Sequence, residues 1–220
     1  MNEQDARQEI CRIGKSLFDR GLVHATAGNI SVRLDDGFLI TPTDACLGFL
    51  DPASLALVDA QGGQRSGRPA SKTLTLHRAI YRAALRFSPG TRCVIHTHST
   101  HSVALSLRAD GPELLPPITP YFVMKVGHVP LVGYQRPGAP GAAEAVARCI
   151  DEYGEAGRTI RAVMLQRLGP NVWHDTPAAA MAVLEELEET ARLMVLDSGA
   201  CRPLTQPQID ELRRAFGASW

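Results

Sequence analysis

The sequence has no excess of charge of either sign, since 23 lysine and arginine residues balance 23 aspartate and glutamate residues. Proteins that bind nucleic acid or membrane surfaces usually carry a basic excess, so we expect neither partner. No apolar run approaches the length of about 20 residues that spans a bilayer. The segment Met1–Asp5 is polar and acidic, unlike a secretory signal peptide. These absences predict a soluble, cytoplasmic protein.

Cysteines are few and scattered. The five cysteines stand far apart and form no Cys-x-x-Cys pair. An odd number without clustering is typical of reduced thiols in a cytosolic protein and gives no sign of a cysteine zinc site.

What the sequence does contain is an alternation of helical and strand patterns over 220 residues, 45% of them apolar. Helical periodicity covers residues 3–20, 72–85, 101–108, 142–151, 178–197 and 209–216. Strand patterns cover 30–33, 38–41, 55–58, 93–96, 129–132, 162–165 and 171–173. The pattern predicts one α/β domain, residues 1–220, with helices covering a largely antiparallel sheet. Ser71 is the expected N-cap of the second helix, and the acidic run Glu185–Glu189 is expected to face solvent.

One stretch joins an apolar strand to three histidines. The run Arg92–Ile95 leads into His96, and His98 follows two residues later. Side chains at i and i+2 lie on the same face of a strand, so both imidazoles can point at one site. Two neutral imidazoles at a strand end form half of a site for Zn²⁺ or another first-row metal. A hydrogen-bonded histidine pair is the alternative, and His101 is expected to lie in the next element.

Four motifs resemble those of the class II aldolases, the family of fuculose-phosphate aldolase and the adducin head. They are Thr26–Ser31, Thr41–Thr43, Pro69–Lys72 with Leu76 and His77, and Ile95–Thr100, and they occur in the family's order. Within that family the chain is most similar to the 3-oxo-tetronate 4-phosphate decarboxylases, through Thr119–Gly127, Val129–Val132 with Tyr134, and Glu185–Ala191. The resemblance covers nearly the whole chain.

The resemblance implies a three-layer α/β/α fold and a homotetramer with active sites between its subunits. It implies a divalent metal on His96 and His98, usually Zn²⁺, with Fe²⁺ and Mn²⁺ as alternatives. It also implies a lyase that acts on a small carbonyl compound, such as a sugar-acid phosphate, by decarboxylation or aldol cleavage. Both reactions pass through an enolate, whose negative charge a cation stabilises.

The resemblance assigns further site residues. Phosphate would bind in glycine-rich and hydroxyl-rich loops, where backbone N–H groups hold anions. The matching positions are Gly28, Asn29, Thr43, Ser71 and Lys72, and Asp44 is a further residue assigned to the same substrate site. Tyr121 matches a family tyrosine that donates a proton to the leaving carbon, and a purely structural aromatic is the alternative. Lys72 and Lys125 are the other groups available for acid–base chemistry or charge stabilisation.

Three positions depart from the family pattern. Leu168 stands where a third histidine closes the metal site, and leucine offers no donor atom. Thr73 stands where the family has its acid–base glutamate, and a hydroxyl is a poor base near neutral pH. Asp44 replaces a glycine or small amide, and its carboxylate repels phosphate unless Lys72 or Arg68 neutralises it. Changes confined to the active site predict an altered function on a retained fold.

The missing metal ligand has several candidate replacements. His24 precedes the glycine loop, His101 follows the His-x-His pair, and His128 lies in a later loop. Asp44 is a fourth candidate, and each of these side chains has an ordinary solvated or capping role as its alternative.

Three functions compete. The leading one is a metal-dependent carbon–carbon lyase, a decarboxylase or aldolase whose substrate has diverged. The second is an Fe(II)-dependent oxygenase that uses His96, His98 and a carboxylate such as Asp44. The third is a non-catalytic oligomeric scaffold or binding module.

Overall fold

The computed structural model describes residues 1–198 and 200–220. Seven α-helices are named here in chain order. They are α1 (Glu3–Asp19), α2 (Leu74–Ala84), α3 (Thr100–Ser106), α4 (Pro120–Lys125), α5 (Pro140–Glu155), α6 (Pro177–Leu196) and α7 (Gln206–Phe216). Two short 3₁₀ helices, Leu47–Phe49 and Pro52–Ser54, connect the early strands.

Eight strands form one sheet. They are β1 (Asn29–Arg33), β2 (Gly37–Ile40), β3 (Ala56–Asp59), β4 (Gln64–Ser66), β5 (Cys93–His96), β6 (Leu131–Val132), β7 (Ala162–Leu165) and β8 (Gly169–His174). Their order across the sheet is β4-β3-β2-β1-β5-β8-β7-β6. Every pairing is antiparallel except that of β6 with β7. The two strands beside β5 are therefore β1 and β8, which together decide what surrounds its end.

Helices cover both faces of this sheet, which confirms the predicted three-layer α/β/α class. Alternation along β5 sends Ile95 into the apolar cluster formed with α1 and α6, while Val94 enters the cluster formed with α2 and α5. Both side chains are fully buried. Because both faces are covered, strand β5 is rigid up to His96, where the sheet ends.

Helix α2 begins two residues later than the sequence predicts. Its N-cap is Thr73, in a helical backbone conformation, and the predicted cap Ser71 lies in the preceding turn. The Ser71 hydroxyl instead lies 2.8 Å from the Thr73 hydroxyl. The prediction of Ser71 as N-cap is therefore wrong, because the turn ties the two hydroxyls together before the helix starts.

The acidic run on α6 does not all face solvent, as the sequence analysis expected. Glu189 is exposed, but Glu188 is only 6% exposed and lies against α3. Glu185 pairs with Arg20 of α1. The prediction fails for Glu188 because the side of α6 that carries it packs on another helix.

Strand β4 and helix α4 have no counterpart in the sequence prediction. Strand β4 is exposed and polar, so it lacks the apolar alternation of a buried strand. Helix α4 follows a stretch rich in proline and was not predicted, although Pro120 occupies its first turn and the Thr119 hydroxyl accepts a bond from the Phe122 N–H at 3.1 Å. Among the described helices, none is both long and apolar enough to cross a membrane.

Candidate metal centre

His96 and His98 lie together at the end of β5. His96 is the last residue of the strand and is 8% exposed. The centres of the two imidazole rings are 5.0 Å apart. The Nδ1 atom of His96 lies 3.0 Å from the carbonyl oxygen of Pro170. Nδ1–H donating to this carbonyl leaves Nε2 with a free lone pair, as in most metal-binding histidines.

Both imidazoles are held in the neutral form that metal binding requires. Burial lowers the pKa of His96 to about 4, and the neighbouring His98 adds to the shift, while the bond to Pro170 opposes it. Burial also lowers the pKa of His98, with a further contribution from His24. At neutral pH both rings therefore offer an unprotonated nitrogen.

The turn that would carry a third histidine lies directly against the same strand end. Gly169 has φ of 142°, and a Cβ on it would lie 1.9 Å from the carbonyl oxygen of Thr97. The Thr97 N–H in turn donates to the Pro170 carbonyl at 3.3 Å. Leu168 occupies this turn and packs against the apolar cluster on the α2 side of the sheet. The turn lies against Thr97 and His98, but the side chain of Leu168 has no donor atom.

The residues present fit a divalent ion at two coordination positions. Within residues 1–198 and 200–220, no three His, Cys, Asp or Glu side chains already converge on one point. Zinc sites normally use at least three protein ligands, so His96 and His98 form half of such a site. Asp44, the carboxylate of the predicted iron alternative, is exposed and stands in a turn with φ of 54°.

Two of the three replacement histidines are committed elsewhere. His101 lies on α3, and its Nδ1 is 2.8 Å from Glu188 Oε1. His128 Nδ1 is 2.8 Å from Glu113 Oε1, and its ring stacks on Trp220 at 4.3 Å between centres. The third, His24, has its ring centre 6.3 Å from that of His98.

The predicted phosphate loops meet beside β1. The Ser71 N–H donates to the Thr41 carbonyl at 3.2 Å, and the Thr43 N–H donates to the Pro69 carbonyl at 2.9 Å. These bonds bring Thr43 and Ser71 into adjoining turns. Pairing of β1 with β5 then places Asn29 opposite His96, so the loop residues and the histidine pair share one end of the sheet.

Gly28 and Asn29 connect this loop region to the histidines. Gly28 has φ of 85°, and a Cβ on it would lie 2.9 Å from the carbonyl oxygen of His96. Only glycine allows so close an approach of the two chain segments. The Oδ1 atom of Asn29 is buried and has no hydrogen-bond partner among the described residues. A buried oxygen acceptor without a partner is available to a bound molecule or to water.

The predicted catalytic side chains lie in three different settings. The Thr73 hydroxyl is tied to Ser71, while Lys72 between them is exposed. Tyr121 lies on α4 and is 60% exposed. Thr73 thus stands with the phosphate loops, whereas Tyr121 projects from the surface of its own chain.

Two buried polar side chains near His96 were not assigned to the site from the sequence. Asn171 of β8 pairs with His96 across the sheet, is fully buried, and neither polar atom of its side-chain amide has a partner among the described residues. His77 Nε2 is likewise buried and unpartnered, while its Nδ1 lies 2.7 Å from the Ser31 hydroxyl. The signal for Asn171 was present, since an amide in the strand Pro170–Trp173 interrupts an otherwise apolar pattern.

Several known proteins are similar to this chain in sequence and in structure. The pattern of the family described as Class II Aldolase and Adducin N-terminal domain matches residues 8–195. A 3-oxo-tetronate 4-phosphate decarboxylase from Cupriavidus necator is 49% identical, over 99% of each chain. The crystal structure of YgbL from Escherichia coli is 40% identical with a TM-score of 0.83, covering 96% of this chain and 99% of YgbL. L-fuculose-1-phosphate aldolase from Thermus thermophilus is 28% identical with a TM-score of 0.70, covering 90% and 98%.

Proposed function

Since the chain belongs to the class II aldolase and adducin family, we propose that it decarboxylates a 3-oxo sugar acid that carries a phosphate. The observation that supports this most directly is the pair of neutral imidazoles, His96 and His98, at the end of β5. They stand at the same end of the sheet as the hydroxyl-bearing loops of Thr43 and Ser71.

The family and the fold class that the sequence predicted are confirmed. So is the prediction of an enzyme of the carbon–carbon lyase type, because the curated relatives are decarboxylases and aldolases. Dependence on a divalent metal is typical of class II aldolases. The proposals concern the substrate, the metal, the residues that act and the assembly.

We assign Zn²⁺ to His96 and His98. Their ring spacing and neutral state suit this ion, whose bonds to imidazole nitrogen are about 2.0–2.1 Å long. When bound, such an ion stabilises the negative charge that develops on a substrate oxygen. Asn29, with its buried and unpartnered Oδ1, lies across from His96 and is placed to hold a polar group of the substrate.

We assign phosphate binding to the loops beside β1. Gly28 brings the first loop against β5, and Thr43 and Ser71 supply hydroxyl groups from adjoining turns. Lys72 is exposed next to Ser71 and supplies a positive charge. The Asp44 carboxylate lies one residue beyond Thr43, so Lys72 must offset its repulsion of a phosphate.

Thr73 favours decarboxylation over aldol cleavage. Retro-aldol cleavage begins with removal of a hydroxyl proton, which requires a base. In decarboxylation, the bond to the carboxylate carbon breaks, CO₂ leaves, and the electron pair remains on the substrate as an enolate. The enolate then takes up one proton. A hydroxyl at position 73 hinders aldol cleavage more than decarboxylation, and Tyr121 is the candidate donor for the protonation step.

Exposure of Tyr121 supports an active site shared between subunits. A proton donor that is 60% exposed on its own chain meets substrate most directly from a neighbouring copy. From the family resemblance we further infer a homotetramer, in the cytoplasm, in which residues 1–220 form one domain.

Release of CO₂ from 3-oxo-tetronate 4-phosphate tests the proposal. We expect the purified protein with Zn²⁺ to decarboxylate this compound and to leave L-fuculose 1-phosphate uncleaved. Because Thr73 and Leu168 replace two functional groups, we expect a rate at least about 100-fold below that of the Cupriavidus enzyme assayed alongside.

The matched control is the double variant His96→Ala, His98→Ala, which should retain its fold and lose both zinc and activity. CO₂ release by this variant at the wild-type rate would contradict the assigned site. Absence of CO₂ release by the wild-type protein would contradict the proposed substrate. A rate equal to that of the Cupriavidus enzyme would show that the changes at Thr73 and Leu168 have no catalytic consequence.

A further inference from the structure

His24 is the histidine best placed to complete the metal site. His101 and His128 each bind a carboxylate through Nδ1. His77, on α2, is fully buried with its Nδ1 against the Ser31 hydroxyl, and His174 Nδ1 accepts a bond from the Asp175 N–H at 2.8 Å. The side chain of His24 is exposed, and its ring is 6.3 Å from that of His98.

The ring spacing agrees with a shared tetrahedral ion. Two imidazoles at zinc–nitrogen distances of about 2.0–2.1 Å in tetrahedral geometry have ring centres about 5 Å apart. His96 and His98 already have this spacing, at 5.0 Å. The His24 ring is about 1 Å too far from His98 at its 6.3 Å separation. A side-chain rotation moves an imidazole ring by more than this difference.

The segment that carries His24 imposes little resistance to such a rotation. It lies between the end of α1 at Asp19 and the start of β1 at Asn29, outside both elements. Ala25, the next residue, has φ of 47°, a conformation that non-glycine residues rarely adopt. The Ala27 N–H donates to the His24 carbonyl at 2.9 Å. The backbone turn is thereby fixed, while the imidazole remains free to move.

Sheet topology shows how one ligand can substitute for the other. Strand β5 lies between β1 and β8. Leu168 lies in the turn that enters β8, and His24 lies in the segment that enters β1. His24 therefore approaches the end of β5 from the β1 side, whereas Leu168 lies on the β8 side.

We propose that His24 is the third metal ligand of this protein, alongside His96 and His98. Three imidazoles with one open position form a site of the catalytic type, in which the fourth position receives water or substrate. This inference rests on the metal site assigned under the proposed function, but it does not depend on the substrate.

Metal binding itself provides the test. Zinc affinity is measured on metal-free protein by competition with a chromophoric chelator, and Co²⁺ absorption reports the ligand set. We expect His24→Gln to weaken zinc binding at least about 10-fold and to change the Co²⁺ spectrum. Thr26→Ala, an exposed change in the same loop, should leave both unaltered. His101→Asn tests the rival ligand and should also leave the Co²⁺ spectrum unaltered.

Wild-type affinity and spectrum in His24→Gln would overturn the inference, as would the spectral change appearing in His101→Asn instead. The outcomes separate this inference from the proposed function. Zinc binding that depends on His24, without CO₂ release from the sugar-acid phosphate, supports the ligand and rejects the substrate. CO₂ release together with unchanged zinc binding in His24→Gln rejects the ligand and retains the substrate.

Discussion

His101 and His128 differ from His96 in the group that their Nδ1 atoms contact. His101 and His128 each lie 2.8 Å from a glutamate oxygen, of Glu188 and Glu113 respectively. His96 instead bonds to a backbone carbonyl. The carboxylate bonds tie His101 and His128 into the packing of neighbouring elements, whereas the carbonyl bond of His96 holds its ring at the end of β5 beside His98.

This difference shows why sequence spacing alone does not identify ligands. His98 and His101 are three residues apart, yet one belongs to the candidate metal site and the other to the junction of α3 with α6. We call the junction around His101 and Glu188 the structural site, and the end of β5 with His96 and His98 the chemical site. Each prediction below changes one side of that comparison.

The largest expected effect is at the structural site. Glu188 is 6% exposed and accepts from the N–H groups of His101 and Ser102, from the Ser102 hydroxyl and from the His101 ring. Glu188→Ala leaves these donors without an acceptor at the start of α3. We expect the free energy of unfolding to fall by about 3 kcal/mol, measured by urea denaturation.

Glu189→Ala is the matched control, since Glu189 is exposed on the same helix. It should change the free energy of unfolding by less than about 0.5 kcal/mol. Equal effects of the two variants would contradict the division between buried and exposed faces of α6.

The second effect concerns a buried histidine without a carboxylate. Burial, with a smaller contribution from His96, lowers the pKa of His77 to about 3 from its ordinary value of 6.5. The unfolded chain therefore binds a proton that the folded chain excludes. The contribution of neutral, buried His77 to the free energy of unfolding is fully present above pH 6.5 and declines as the pH falls toward 3.

The expected loss from His77 is about 2 kcal/mol between pH 6 and pH 4.5, at about 1.4 kcal/mol per pH unit. Denaturation at several pH values measures this slope. The glutamine in His77→Gln can still bond to Ser31 but does not titrate. The change of its unfolding free energy with pH should therefore be smaller than that of the wild type by about 1.4 kcal/mol per pH unit. Identical slopes would show that His77 is protonated in the fold.

Much of the fold could be predicted because its elements have strong local signals. Helical periodicity over residues 178–197 predicted α6, and the strand patterns over 30–33 and 38–41 predicted β1 and β2. Helix α4 was missed because prolines outweighed the capping signal of Thr119. Strand β4 was missed because an exposed strand without apolar alternation has no periodicity to detect.

The candidate site was predictable only in part. The i, i+2 spacing located His96 and His98, and the resemblance located the loops. Partner choice for His101 and His128 was not predictable, because Glu188 and Glu113 are far from them in the sequence. The position of the Asn171 amide beside His96 depends on the strand register, because a shift by one residue turns each side chain to the other face of the sheet.

The smallest effect expected of a single substitution is a gain at the chemical site. Leu168→His places an imidazole in the turn against Thr97 and His98, where Gly169 already makes close contact. If His24 supplies the third ligand, the new histidine adds only a fourth, and zinc affinity should rise about 10-fold, or 1.4 kcal/mol. In a His24→Gln background the same substitution fills a vacant position, so the gain should be about 100-fold. Chelator competition on the four proteins measures both gains, and equal gains would contradict the assignment of His24.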